Sequence, residues 1–141
     1  VSALIGEIVW IGYSFRVLGK SYSRVEAALL VGAVWTLWWM PMVYYNIGII
    51  PDLSWTGLLL AQTGVALFCV FFYTLTKSGL TIFVMQVFYN GSLIALPVSP
   101  TNGGPLIFEA YAIAYFLSGV LCVLVLLPRI ENRWADRENQ R

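Results

Sequence analysis

Five apolar runs, each near the length that crosses a bilayer and each closed by a short polar break, constrain this chain more than any other feature. They cover residues 1–18, 25–45, 53–75, 80–96 and 106–127. A helix needs about 20 such residues to span hydrocarbon; the first and fourth runs sit at the short end of that range. Barrel strands would be about half as long and would alternate in polarity, which these runs do not. The breaks hold turn formers: Gly19 to Ser23, Asn46 to Asp52 with Gly48 and Pro51, Thr76 to Gly79, and Pro97 to Pro105 with Asn102-Gly103-Gly104. Pro128 is expected to end the last helix.

Composition agrees. Of 141 residues, 60% are hydrophobic and 11% charged, whereas a soluble domain carries about 25% charged residues. The expected fold is all-α, a polytopic transmembrane helical bundle of about five spans over residues 1–128, with a polar tail at 129–141. The chain opens on Val1 inside an apolar run, with no basic stretch or cleavage pattern ahead of it, so further helices are expected to precede it. A net charge of +1 gives no basic field for nucleic acid. Cys69 and Cys122 both lie within apolar runs and read as small buried or lipid-facing residues rather than a disulfide.

The basic residues orient the bundle. Arg16, Lys20 and Arg24 flank the first break, Lys77 lies in the third, and Arg129, Arg133, Arg137 and Arg141 lie in the tail. Alternating spans put all of them on one side, and the positive-inside rule makes that side cytoplasmic or its equivalent. The tail reads as a solvated, interfacial stub or as a docking segment for a partner.

Polar residues inside the spans are the functional candidates. Glu7 precedes Arg16 by nine residues, about 13 Å along a helix and so near mid-bilayer. A charge there costs at least about 2.5 kcal/mol, so Glu7 is expected to face protein or water, either as a functional acid or as a neutral group holding helices together. Gln86 and Asn90, four apart, share a helix face and are placed to meet Glu7 in depth, unless they only pack helices. The aromatic stretch from Trp35 to Tyr45 reads as an interfacial belt, and Pro41 permits a kink. Ser2, Gly6, Gly12, Gly32, Gly57 and Gly64 allow close helix approach. The sequence has no His, which removes His-ligated zinc, His-ligated haem and any Ser–His or Cys–His nucleophile. No metal site is expected.

Three segments in order resemble a known family. They are Gly6-Glu7-Ile8-Val9-Trp10-Ile11-Gly12-Tyr13, then Trp35-Thr36-Leu37-Trp38-Trp39-Met40-Pro41-Met42, then Tyr73-Thr74-Leu75-Thr76-Lys77-Ser78-Gly79-Leu80 followed by Gln86-Val87-Phe88-Tyr89-Asn90. Over about residues 5–92 the chain resembles the CPBP family of intramembrane proteases, the CAAX-protease and bacteriocin-processing group also called Abi. The resemblance implies a water-activating acid and His, with a second His and an Asn holding the oxyanion. Here the first acid position is Gly6 and the second Glu7; the Arg position is Ile11; the two His positions are Trp39 and Gln86; Asn90 is kept. Trp39 cannot take a proton as a general base must, and loss of one oxyanion donor alone slows a reaction about 10²–10³-fold.

The expected function is therefore that of a non-catalytic CPBP-like membrane protein, a structural or regulatory subunit of a membrane complex. Its partners would be lipids and other integral membrane subunits. Glu7, Gln86 and Asn90 would be vestigial cavity residues, with no cofactor required and a lipid, prenyl chain or pigment accommodated. An intramembrane CAAX-type endopeptidase with altered chemistry and a transporter or channel component are the alternatives.

Overall fold

The computed structural model describes residues 17–18, 20–47, 51–130 and 132. The first predicted span, with Gly6, Glu7 and Ile11, lies outside them, as does most of the tail. The described residues are helical and contain no strand. The all-α bundle expected from the apolar runs is thus the fold observed. Four helical stretches are long and apolar enough to cross a membrane: Arg24–Tyr45, Trp55–Thr76, Gly79–Gly103 and Pro105–Ile130.

Helix α1, Arg24–Tyr45, starts where Ser23 and Glu26 satisfy each other's backbone. The Glu26 N–H donates to Ser23 Oγ at 3.3 Å and the Ser23 N–H to Glu26 Oε2 at 2.8 Å, so two otherwise orphaned donors are paired. It ends at Asn46, whose φ of 53° turns the chain into the left-handed region that Asn tolerates better than most residues. Pro41 lies inside α1 without ending it.

Helix α2, Trp55–Thr76, is capped by Ser54, whose Oγ accepts from the Gly57 N–H at 3.1 Å. Lys77 closes it with φ 52° and a 2.8 Å bond from its N–H to the Tyr73 carbonyl. Helix α3, Gly79–Ala95, follows at once. A single-turn helix α4, Pro100–Gly103, interrupts the next connection. Helix α5, Pro105–Leu121, begins with proline at its first position, where no N–H is needed.

Pro128 does not end this last helix. A π-helical turn, Cys122–Leu126, precedes it, and the helix continues to Ile130. Proline lacks an N–H, and its ring crowds the carbonyl four residues back. The wider turn ahead of Pro128 absorbs that conflict without breaking the helix.

Helix α2 is the centre of the bundle. With α1 and the end of the last helix it buries Ala28, Val31, Leu67, Val70, Val123 and Leu127. With α3 it buries Val65, Cys69 and Ile82. With the start of α5 it buries Ala61, Phe108 and Ala112. Close approach depends on glycine. A Cβ on Gly32 would lie 2.6 Å from the Thr63 Cα, and one on Gly119 would lie 3.0 Å from the Leu67 Cβ. Backbones that meet this closely gain dispersion contacts, which help to hold helices together in lipid, where no hydrophobic drive acts between them. The outer faces carry large apolar side chains such as Leu37, Trp38, Phe88, Ile94 and Leu106, all exposed, the surface a bilayer solvates.

Candidate functional site

The site predicted from the sequence draws on the first span, which lies outside the described residues, and on α1 and α3. Of its members, Trp39, Gln86 and Asn90 are described. Trp39 sits in α1 and is half-buried; Gln86 and Asn90 sit in α3, the first only 5% exposed and the second exposed. Helical spacing does put both amides along one side of α3, but they differ in what they do. Asn90 turns its Nδ2 back to donate to the Gln86 carbonyl at 2.9 Å, so its amide is engaged with its own helix.

The depth of each group follows from helix register. Trp35 of α1 packs against the cluster formed by Val65 and Cys69 of α2 and Ile82 of α3. Trp39 stands four residues beyond Trp35, and Gln86 four beyond Ile82, each one turn farther along the same helix face. Short connections make α1, α2 and α3 alternate in direction. The two steps lead toward the same end of the bundle but stand at different depths: Gly32 packs on Thr63, which sets Trp39 beside the start of α2, whereas Gln86, two turns into α3, stands beside the second half of α2.

Their polar atoms set them apart. The Trp39 Nε1 and the Gln86 Nε2 are buried without a hydrogen-bond partner. Other polar side chains in the spans are quiet. Thr36 Oγ1 donates to the Gly32 carbonyl at 2.8 Å, Thr63 Oγ1 to Leu59 at 2.7 Å, and Ser118 Oγ to Ala114 at 2.7 Å. These hydroxyls spend their donor on the preceding turn of their own helix. Neither an indole nor a long amide can fold back in this way. An N–H buried without an acceptor costs about 1–3 kcal/mol.

Beside Gln86 lies an aromatic stack that sequence reading did not single out. Tyr89 of α3 and Tyr115 of α5 have ring centroids 5.0 Å apart, and Tyr111 stacks on both, 6.5 and 5.8 Å away. Ser92 Oγ lies 3.1 Å from the Tyr111 hydroxyl. Tyr111 and Tyr115 are four apart, a helical spacing that marks a shared face, but nothing in the sequence says that α3 supplies the third ring. At the opposite margin of α2, Thr56 Oγ1 donates to Glu109 Oε1 at 3.4 Å, tying the starts of α2 and α5. Cys69 is buried and Cys122 half-buried, and neither forms a disulfide. Among the described residues no cluster of acidic, Cys or His side chains suits a metal ion.

Comparison with known proteins gives one partial likeness. Over 46 residues the chain is 37% identical to the CAAX prenyl protease 2 of Methanococcus maripaludis. The matched stretch is 33% of this chain and spans 17% of that protein. The likeness supports a relation to the CPBP family. No family model matches the chain, and no solved structure matches it.

Proposed function

We propose that this chain is a non-catalytic CPBP-like integral membrane protein, a structural or regulatory subunit of a larger membrane complex. The observation that carries the reading is the lack of any His in a chain similar over 46 residues to a CAAX prenyl protease. At the positions where the family resemblance expects histidines stand Trp39 and Gln86. Neither titrates near neutral pH, so neither accepts a proton from water. Gly6 and Ile11 remove, on the same resemblance, one acid and the Arg that would balance it. Glu7, Gln86 and Asn90 are then the remnant of a hydrolytic site.

Loss of chemistry leaves the bundle and its surface. The exposed apolar side chains of α1, α3 and α5 suit lipid and neighbouring helices alike, and the described residues form no soluble domain. A subunit role requires stable neighbours. Extracted from its own membrane in mild detergent, the chain of 15.8 kDa is expected in a particle too large for one copy with its detergent belt. Migration as a monomer, checked by mass photometry, would count against the proposal. A Glu7→Gln variant separates the alternatives: a peptidase with altered chemistry loses cleavage, a proton-coupled transporter loses flux, and a scaffold loses neither.

A further inference from the structure

We infer that the bundle carries an apolar girdle only about 24–26 Å thick, and so fits a bilayer of short-chain lipid rather than the ordinary hydrocarbon core of about 30 Å. Two independent measures give that thickness. One is the depth between two carboxylates. The other is the length of the span that lipid covers most.

The first measure runs through the closest contact of α1 and α2. A Cβ on Gly32 would lie 2.6 Å from the Thr63 Cα, so the two residues share one depth. Glu26 stands six residues before Gly32 in α1, and Thr56 seven before Thr63 in α2. The helices run in opposite directions, so these steps lead to opposite faces of the membrane. Together they make thirteen residues, about 20 Å at the helical rise. Each carboxylate is held near its mark. Glu26 is exposed, and its Oε2 accepts from the Ser23 N–H at 2.8 Å, which carries it up to about 4.5 Å farther out, the rise over three residues. Glu109 Oε1 accepts from Thr56 Oγ1 at 3.4 Å and so lies at the level of Thr56. Trp55, 41% exposed, stands beside that mark, where an indole favours the headgroup boundary. The two acids are therefore about 24 Å apart in depth. A core of about 30 Å would draw one of them into hydrocarbon, where a carboxylate loses its hydration.

The second measure is α3. Its 17 residues, Gly79–Ala95, rise about 26 Å. It is the least buried of the four spans, and Leu80, Phe88 and Ile94 are each more than 70% exposed. Its length is the one that surrounding lipid meets most directly. A girdle shorter than the core gathers shorter lipid or thins the bilayer around it, at a cost that rises with each ångström of mismatch. The occupant that fits these outer faces is a glycerolipid with chains of myristoyl length. This inference stands apart from the non-catalytic reading and needs only that the four spans cross the bilayer.

The test reconstitutes the full chain in phosphatidylcholine vesicles and quenches its tryptophan fluorescence with dibromostearoyl phosphatidylcholine. Trp38 and Trp55 are exposed and report the lipid in contact. Dimyristoleoyl, dioleoyl and dierucoyl phosphatidylcholine, in order of increasing chain length, then compete for the protein surface. Dimyristoleoyl lipid is expected to bind about threefold more tightly than dierucoyl lipid, with dioleoyl between them. Equal binding of all three, or a preference for dierucoyl lipid, overturns the inference. Glu109→Leu removes the far mark and is expected to narrow the ratio; an unchanged ratio places the margin elsewhere and overturns the inference as well. If that variant does not insert, the ranking in the unaltered chain decides alone.

Discussion

A methyl group added at Gly32 and one added at Gly91 meet opposite surroundings. At Gly32 the new Cβ would lie 2.6 Å from the Thr63 Cα and 2.8 Å from its Oγ1; at Gly91 nothing lies within 4 Å. Gly32→Ala is expected to lower stability by about 1–3 kcal/mol, because backbone cannot move aside as a flexible side chain would. Gly91→Ala is expected to raise it by up to about 1 kcal/mol, the helix-propensity difference between the two residues. Thermal unfolding in detergent reads both. Gly32, Gly57 and Gly64 were legible as contact glycines because small residues in a membrane span have few other uses. Gly119 was not, since its role shows only once the Leu67 Cβ and the Gly64 carbonyl face it. The family resemblance singled out Trp39 and Gln86 as standing at two of its histidine positions. That each would bury an unpaired N–H was not legible, because sequence gives residue type and leaves out what stands opposite.

Helix limits followed closely from the breakers and caps. Turn formers placed the start of α1 within a residue of the Ser23–Glu26 capping box and the end of α3 within a residue of Ala95. Two features escaped. Helix α4, Pro100–Gly103, is too short to show any periodicity. The continuation through Pro128 depends on the π turn Cys122–Leu126, which no residue pattern announces in an apolar run. If the turn exists to accommodate the proline, Pro128→Ala removes the conflict and is expected to raise stability by about 1–3 kcal/mol. A fall in the unfolding midpoint would show that the wide turn serves another contact. At the same end of the bundle, Ser23→Ala removes the Oγ that accepts from the Glu26 N–H and is expected to cost about 1 kcal/mol, read by the same unfolding experiment.

The whole molecule is organised around α2, which packs on α1, α3 and the last helix in three separate apolar clusters. Sequence ranked no helix as central, because apolarity does not rank burial: the last span is more apolar than α2, yet α2 is the most buried, and burial is decided by which neighbours arrive. The all-helical class, by contrast, was fixed by span length alone. The distribution of Arg and Lys predicts the orientation: in a Cys69→Ala, Cys122→Ala background, Ser21→Cys should react with an impermeant thiol reagent from the cytoplasmic-equivalent side and Thr101→Cys from the other. Labelling of both from one side would refute that topology.

The central claim is that a protease-like bundle persists here without its chemistry. Its most direct test is cleavage of a farnesylated CAAX peptide by the purified chain in liposomes, followed by mass spectrometry of the products. The account predicts no cleavage above protein-free liposomes, with Glu7→Gln indistinguishable from the unaltered chain; turnover that Glu7→Gln abolishes would contradict it.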